Sequence, residues 1–374
     1  MNNRNSALDF LRFVAILLVL FRHLIINGNG LPERVASVLE TGGWVGVDLF
    51  FVLSGFLVSG LIFKEYDTYG TFNPWRFLIR RGFKIYPTFY LFLGLTWGLT
   101  YFFHYANHES NIRYLNEALF ICNYTSLQPM HSWIWSICVE EHFYILLCIL
   151  LYSLIKFNKI SRRTFSTIYF MFLVLGLTLR AYNLLHYPSF NFFRDMTQSH
   201  LRFDALFFGV VLCFHYRRDG LAKWKSPVLA LFAVGIISLP FIFSLNDSRY
   251  TFFIVVLFLA ISPLCFGYLM ILMLRVKAGW MRPFAYIGKY SYSIYLFHGF
   301  INDIAGKHFT GWKYPLVYFS ASLLVGIIIS KLVEYPILAL RNKWFPDSAS
   351  RSSTKPAMPV PVISGALNSG IIPD

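Results

Sequence analysis

Ten stretches of this chain are apolar over all or most of the length needed to cross the hydrocarbon core of a bilayer, about 20 residues of helix. They fall at 8–27, 43–63, 86–104, 133–155, 165–187, 201–215, 226–245, 251–274, 286–306 and 314–340, the run at 201–215 being the shortest. Hydrocarbon offers no partner for a backbone N–H or C=O, so each run must close its hydrogen bonds internally, as a helix. The pattern predicts an all-α fold: a polytopic transmembrane helical bundle of about ten helices. Composition agrees, because 14% charged residues falls well short of the roughly one quarter usual in soluble domains. The 40 Phe, 23 Tyr and 9 Trp supply aromatics suited to membrane interfaces.

A net charge of +15 would suit a nucleic-acid binder, but here it alternates along the chain. With the N-terminus placed in the cytoplasm, the outer segments hold Arg34, Arg113, Arg194, Arg249, Lys307 and Lys313. Most other cations fall inside, the asymmetry that orients membrane proteins. The charge therefore records topology. Both termini are expected in the cytoplasm; the lipid bilayer is an expected partner and nucleic acid is not. The first run is expected to persist as a helix rather than be cleaved, because Arg12 interrupts it and no small-residue cleavage site follows His23. Cys122, Cys138, Cys148, Cys213 and Cys265 lie in or beside apolar runs without C-x-x-C spacing. They read as packing residues, not as disulfide or metal ligands.

The connections between runs are short, so residues 1–345 form one transmembrane domain. Residues 346–374, rich in Ser and Pro, are expected to be a disordered cytoplasmic tail. The longest outer connection, 105–132, contains LNEALFICNY, too short to span and suited to an interfacial or re-entrant piece. In NPWRFLIRRGFKIYP, basic residues at 76, 80, 81 and 84 alternate with aromatic and aliphatic ones. That spacing predicts a basic amphipathic helix lying at the cytoplasmic surface. No internal repeat is visible.

Ionisable groups within lipid are costly, and each is a functional candidate unless it pairs internally or reaches the interface. LDFLRFVAILLVLFRHL holds four polar residues: Asp9, Arg12, Arg22 and His23. Arg12 and His23 are eleven residues apart, about 16 Å of rise, and return to nearly the same helix face. Arg22, near the outer end, is expected to snorkel, and Asp9 to pair with Arg12. By the same topology Asp48, Glu140, Glu141 and His298 lie in the outer half, with Arg202 and Asp204 near the outer end of their run. Two imidazoles and several carboxylates at one depth suit acid–base chemistry or proton relay. On the inner side Arg12, Arg76, Arg80, Arg81, Lys84 and Lys331 make a cationic zone fit for phosphates. In the second run, Gly42, Gly43, Gly46, Gly55 and Gly60 allow close helix approach.

Several of these segments, in this order, resemble the membrane-bound acyltransferase family 3, which includes surface-polysaccharide O-acetyltransferases. They are LDFLRFVAILLVLFRH (Arg, ten residues, His), GGWVGVDLFFVLSGF, the basic FLIRRGFKIYP, WSICVEEHFY, LRFDALFFG, IGKYSYSIYLFH and VEYP. The likeness covers residues 8 to about 340. One departure is that the family's basic segment commonly ends R-x-x-R, whereas here it reads Arg81-Gly-Phe-Lys84, which keeps the charge but loses the guanidinium fork.

The resemblance implies an acyl donor, acetyl-CoA, approached from the cytoplasm and held through its phosphates by Arg12, Arg80, Arg81 and Lys84. It implies His23 as the catalytic histidine, Asp48 as its orienting partner and Glu140 as a further essential acid, with Arg202, Asp204 and His298 as supporting residues and no metal. The acceptor it implies is a hydroxyl of an extracytoplasmic glycan, such as lipopolysaccharide O-antigen or exopolysaccharide, at a bacterial inner membrane. The residues alone leave a proton-coupled secondary transporter or flippase open as a second reading.

Overall fold

The computed structural model of the chain describes residues 5–24, 32–103, 107–187, 189–220, 226–243, 247–276 and 279–346. The expected tail from 347 onward lies outside the described residues. Among those residues the chain is helical throughout, with no strand.

The first half runs α1 (Ser6–Arg22), α2 (Glu33–Gly42), α3 (Val45–Tyr69), α4 (Pro74–Phe102), α5 (His108–Ala118), α6 (Trp135–Lys156) and α7 (Arg162–His186). The second runs α8 (Phe192–Met196), α9 (Phe203–Asp219), α10 (Pro227–Ile242), α11 (Ser248–Phe252), α12 (Leu259–Met273), α13 (Met281–Gly288), α14 (Ser291–His308), α15 (Lys313–Ile329) and α16 (Tyr335–Trp344). Two π-helical turns, Phe253–Phe258 and Ser330–Glu334, join α11 to α12 and α15 to α16. Among the described residues five continuous helices are long and apolar enough to cross a membrane: Glu33–Tyr69, Ser132–Lys156, Arg162–His186, Ser248–Met273 and Lys313–Trp344. The remaining apolar runs are helical too, but shorter or less apolar.

Two expectations change. The basic segment is not a separate surface helix but the first turns of α4. Asn73 accepts from the Arg76 N–H at 3.0 Å and Pro74 occupies the first turn, both strong start signals. The helix then continues past Pro87 to Phe102, and the four cations line one cavity within the bundle. In the connection 105–132, expected to hold an interfacial or re-entrant piece, α5 ends at Ala118, and Phe120 adopts a positive φ of 58° that turns the chain. The run 286–306 is divided, α13 ending at Gly288 and α14 starting at Ser291.

The core sits where α3 lies against α1 and α9. Small residues make this possible, since a Cβ on Gly55 would collide with the Leu206 carbonyl of α9 and one on Gly46 with the Ala15 carbonyl of α1. Phe51, Phe56, Phe207 and Phe214 fill the space around them, fully buried. All five cysteines are buried free thiols, with the Cys122 and Cys138 sulfurs 3.3 Å apart.

Candidate active site

One cavity opens among α1, α3, α4, α6, α14 and α16. Its cationic lining comprises Arg12, Lys64, Arg76, Arg80, Arg81, Lys84, Lys289 and Arg341, against two carboxylates, Glu65 and Glu140. Farther in, the wall turns apolar through Leu53, Leu57, Ile85 and Ile137, and Ser136, Tyr292 and Tyr295 also line it. Arg12, Arg80, Arg81, Lys84 and Glu140, each singled out in the sequence, thus share one space. Lys64, Lys289 and Arg341 were not singled out as donor ligands. They come from three separate segments whose meeting only the fold reveals.

These cations are held in place. Arg12 donates to Asp9 at 3.0 Å, as expected from their spacing. Arg76 pairs with Glu65, Arg80 donates to the Phe345 carbonyl, and Lys84 pairs with Glu334. Glu334, buried on the second π-helical turn, also accepts from Ser293 and Ser330 at 3.2 Å each. A π-helical turn at a functional position is a common association, and the Glu of VEYP is its product here. The Arg81 guanidinium stands 6.0 Å from the Tyr144 ring centroid. The Tyr144 hydroxyl in turn donates to Glu140 and meets the Ser54 hydroxyl, both at 2.8 Å. Glu140 therefore belongs to the cavity wall.

The two imidazoles meet. The His23 and His298 ring centroids are 4.9 Å apart, and Trp133 stands 6.2 and 5.3 Å from them. His23 directly follows α1. Its carbonyl accepts from Asn302 at 2.7 Å, and Asn302 accepts from the Tyr314 hydroxyl at 2.6 Å. His298 is fully buried on α14, and its Nδ1 bonds the Tyr295 carbonyl one turn earlier. The Tyr295 hydroxyl donates to the Trp133 carbonyl at 2.6 Å and accepts from Ser136 at 2.7 Å. Tyr295 lines the cavity, so it is the residue between the cationic space and the histidine pair.

The outer carboxylates do not join that pair, contrary to the depth argument. Asp48 gives one oxygen to Arg202 and the other to Ser262 at 2.9 Å. Arg202 is thereby committed to Asp48. Asp204 bonds Arg180 at 2.8 Å and the Ala205 N–H at 2.9 Å. Glu141 accepts from Tyr86 at 2.9 Å. Residues at one depth face different directions around a bundle, and each buried acid here has found the nearest cation or hydroxyl. Arg180 was the missed partner, although a lone cation inside the run 165–187 was its visible signal. Arg22, expected to snorkel, pairs with Glu40 at 3.4 Å, both side chains remaining partly exposed.

These elements define an integral membrane protein with a cation-rich cavity inside an all-helical bundle. A family model described as an acyltransferase domain matches residues 5–335, and the chain belongs to that family. It is 26% identical over 360 residues to a Staphylococcus aureus (strain COL) protein provisionally named an O-acetyltransferase, covering 87% of this chain and 55% of that protein. It is 25% identical over 373 residues to the O-acetyltransferase OatA of Staphylococcus aureus (strain NCTC 8325 / PS 47), covering 90% and 57% respectively. The chain thus spans little more than half the length of these relatives. No solved structure matches it significantly.

Proposed function

We propose that this protein is a membrane O-acetyltransferase that moves an acetyl group from cytoplasmic acetyl-CoA to a hydroxyl of an extracytoplasmic glycan. The ten apolar runs are ten crossings with both termini in the cytoplasm, and the membrane is a bacterial inner membrane. Lipopolysaccharide O-antigen and exopolysaccharide are the acceptor classes in view. The observation that carries this reading is the cavity, cationic at one end and bounded by Tyr295 next to the histidine pair.

Arg12, Arg80, Arg81 and Lys84 hold the CoA phosphates by charge-assisted hydrogen bonds. The pantetheine arm follows the apolar wall past Tyr144 and Glu140 toward Tyr295. A sugar hydroxyl is a weak nucleophile, so its attack on the thioester carbonyl needs a base, and imidazole, here that of His23, is the side chain most often given that task. Thiolate is a good leaving group and needs less help. Asp48 supports the site from a distance by fixing α3 against Arg202.

Inverted membrane vesicles from cells making the full chain, supplied with radiolabelled acetyl-CoA, test the reading. Label should enter glycan in the wild type and not in His23→Ala at equal protein level. Transfer that ignores acetyl-CoA, or no label in wild-type glycan, would falsify it, whereas undiminished transfer by His23→Ala removes His23 as the base. O-acetyl analysis of surface glycans in a deletion strain identifies the acceptor.

A further inference from the structure

His298 carries a polarity that packing does not use. Its Nδ1 lies on the Tyr295 carbonyl, an acceptor only, so Nδ1 must carry the ring proton. The neutral ring then presents a lone pair at Nε2, on the edge away from that bond. Among the described residues Nε2 is buried and has no hydrogen-bond partner, and the residue is 0% exposed. Buried polar atoms are nearly always satisfied, and an exception asks for a missing partner. The nearest titratable neighbour among its ring contacts is His23 at 4.9 Å. One turn back along the same helix lies Tyr295 on the cavity wall.

We propose, building on the acetyl-transfer reading, that His298 is the second proton carrier of the reaction, linking His23 to the departing CoA thiolate. The acceptor hydroxyl oxygen forms the new C–O bond as its proton passes to His23. The C–S bond breaks and the thiolate leaves with the electron pair. The proton moves from His23 to His298 Nε2 and from there to the sulfur, giving CoA thiol and restoring both neutral imidazoles. Nothing is oxidised or reduced, and no further reactant is needed. The Tyr295 carbonyl holds Nδ1–H throughout and favours the transient imidazolium. The Trp133 indole, 5.3 Å away, favours that cation further. The arrangement gives a proton released on the acceptor side a route to the donor side without water.

The test uses the full chain in inverted vesicles with acetyl-CoA as the probe. His298→Asn keeps an amide N–H for the Tyr295 carbonyl and removes the basic Nε2. Transfer kcat should fall about 100-fold or more, with the KM for acetyl-CoA little changed. His298→Ala should regain transfer as imidazole is added, a rescue that restored packing alone does not produce at matched protein level. His298→Asn at wild-type kcat, or His298→Ala inactive at all imidazole concentrations, overturns the proposal. If the His298→Asn protein fails to accumulate, the imidazole titration of the alanine variant decides. Loss of transfer in His23→Ala with retention in His298→Asn sinks the relay alone. Retention in His23→Ala sinks His23 as the base and the relay with it, and absence of label transfer in the wild type sinks the acetyl-transfer reading beneath both.

Discussion

Asp48 and Arg202, 154 residues apart in the chain, form an ion pair at 1% and 2% side-chain exposure that joins α3 to the start of α9. Arg202 also lies 5.4 Å from the Phe51 ring centroid and 5.8 Å from that of Trp135, so neither charge has water to fall back on. Removing one partner strands the other, at a cost of about 3–5 kcal/mol. Asp48→Ala should therefore lower thermal stability in detergent by several degrees or prevent accumulation. Asp48→Ala with Arg202→Met should recover much of that loss. A stable Asp48→Ala protein that is merely slow in transfer would instead return Asp48 to the chemistry of His23.

The donor site makes a separate prediction at Arg81. Its guanidinium faces Tyr144 and lies in the cavity beside Glu140. Replacing Arg81 by Lys keeps the charge but loses the fork and the flat ring contact. The KM for acetyl-CoA should rise about tenfold in Arg81→Ala, roughly 1.4 kcal/mol of binding, and by less in Arg81→Lys. The His23 step should be spared, so kcat at saturating donor should stay near wild type. A fall in kcat without a change in KM would place Arg81 outside phosphate binding.

How much of this was legible beforehand depends on what sequence can encode locally. Helix class, Asp9 beside Arg12, the small residues Gly46 and Gly55, and the cations of α4 follow from spacing along one helix. The meeting of His23 with His298 was legible only as a shared depth. Depth fixes height in a bundle but not direction around it, which is why Asp48 and Asp204 were grouped with the imidazoles and turned out to face Arg202 and Arg180. Lys289, Arg341 and Glu334 reach the cavity region through the break after α13 and the π-helical turn before α16. Neither irregularity has a periodic signature, so their contributions could not be placed from apolar spacing.

Lys84 joins two roles that substitution can separate. It lines the cavity and pairs with Glu334, whose own side chain is fully buried. Lys84→Ala should both weaken donor binding and destabilise the protein, because Glu334 is left without its cation. Adding Glu334→Ala removes the stranded charge, so stability should return while the raised KM for acetyl-CoA persists. Thermal unfolding and donor kinetics on the same preparations check this. Recovery of both properties together would mean that Lys84 serves the helix contact and not the phosphates.

Gly299, next to His298, sets the position of Trp133. A Cβ at this residue would run into the six-membered ring of that indole, which has no small side chain to fold away. The indole is tied at its other side, where Nε1 donates to the Leu296 carbonyl at 3.1 Å. Gly299→Ala must then shift the ring, and with it the surface that packs on both imidazoles. The cationic end of the cavity is built from other segments and should be untouched. Transfer kcat should fall at least about tenfold, since misplacement of reacting groups by about 1 Å carries a large penalty, while acetyl-CoA affinity measured by equilibrium binding should hold. A larger clash that unfolds the bundle is separable from this, because it would abolish donor binding as well. Equal loss of binding and turnover would therefore show that Trp133 supports the whole bundle and not the histidine pair.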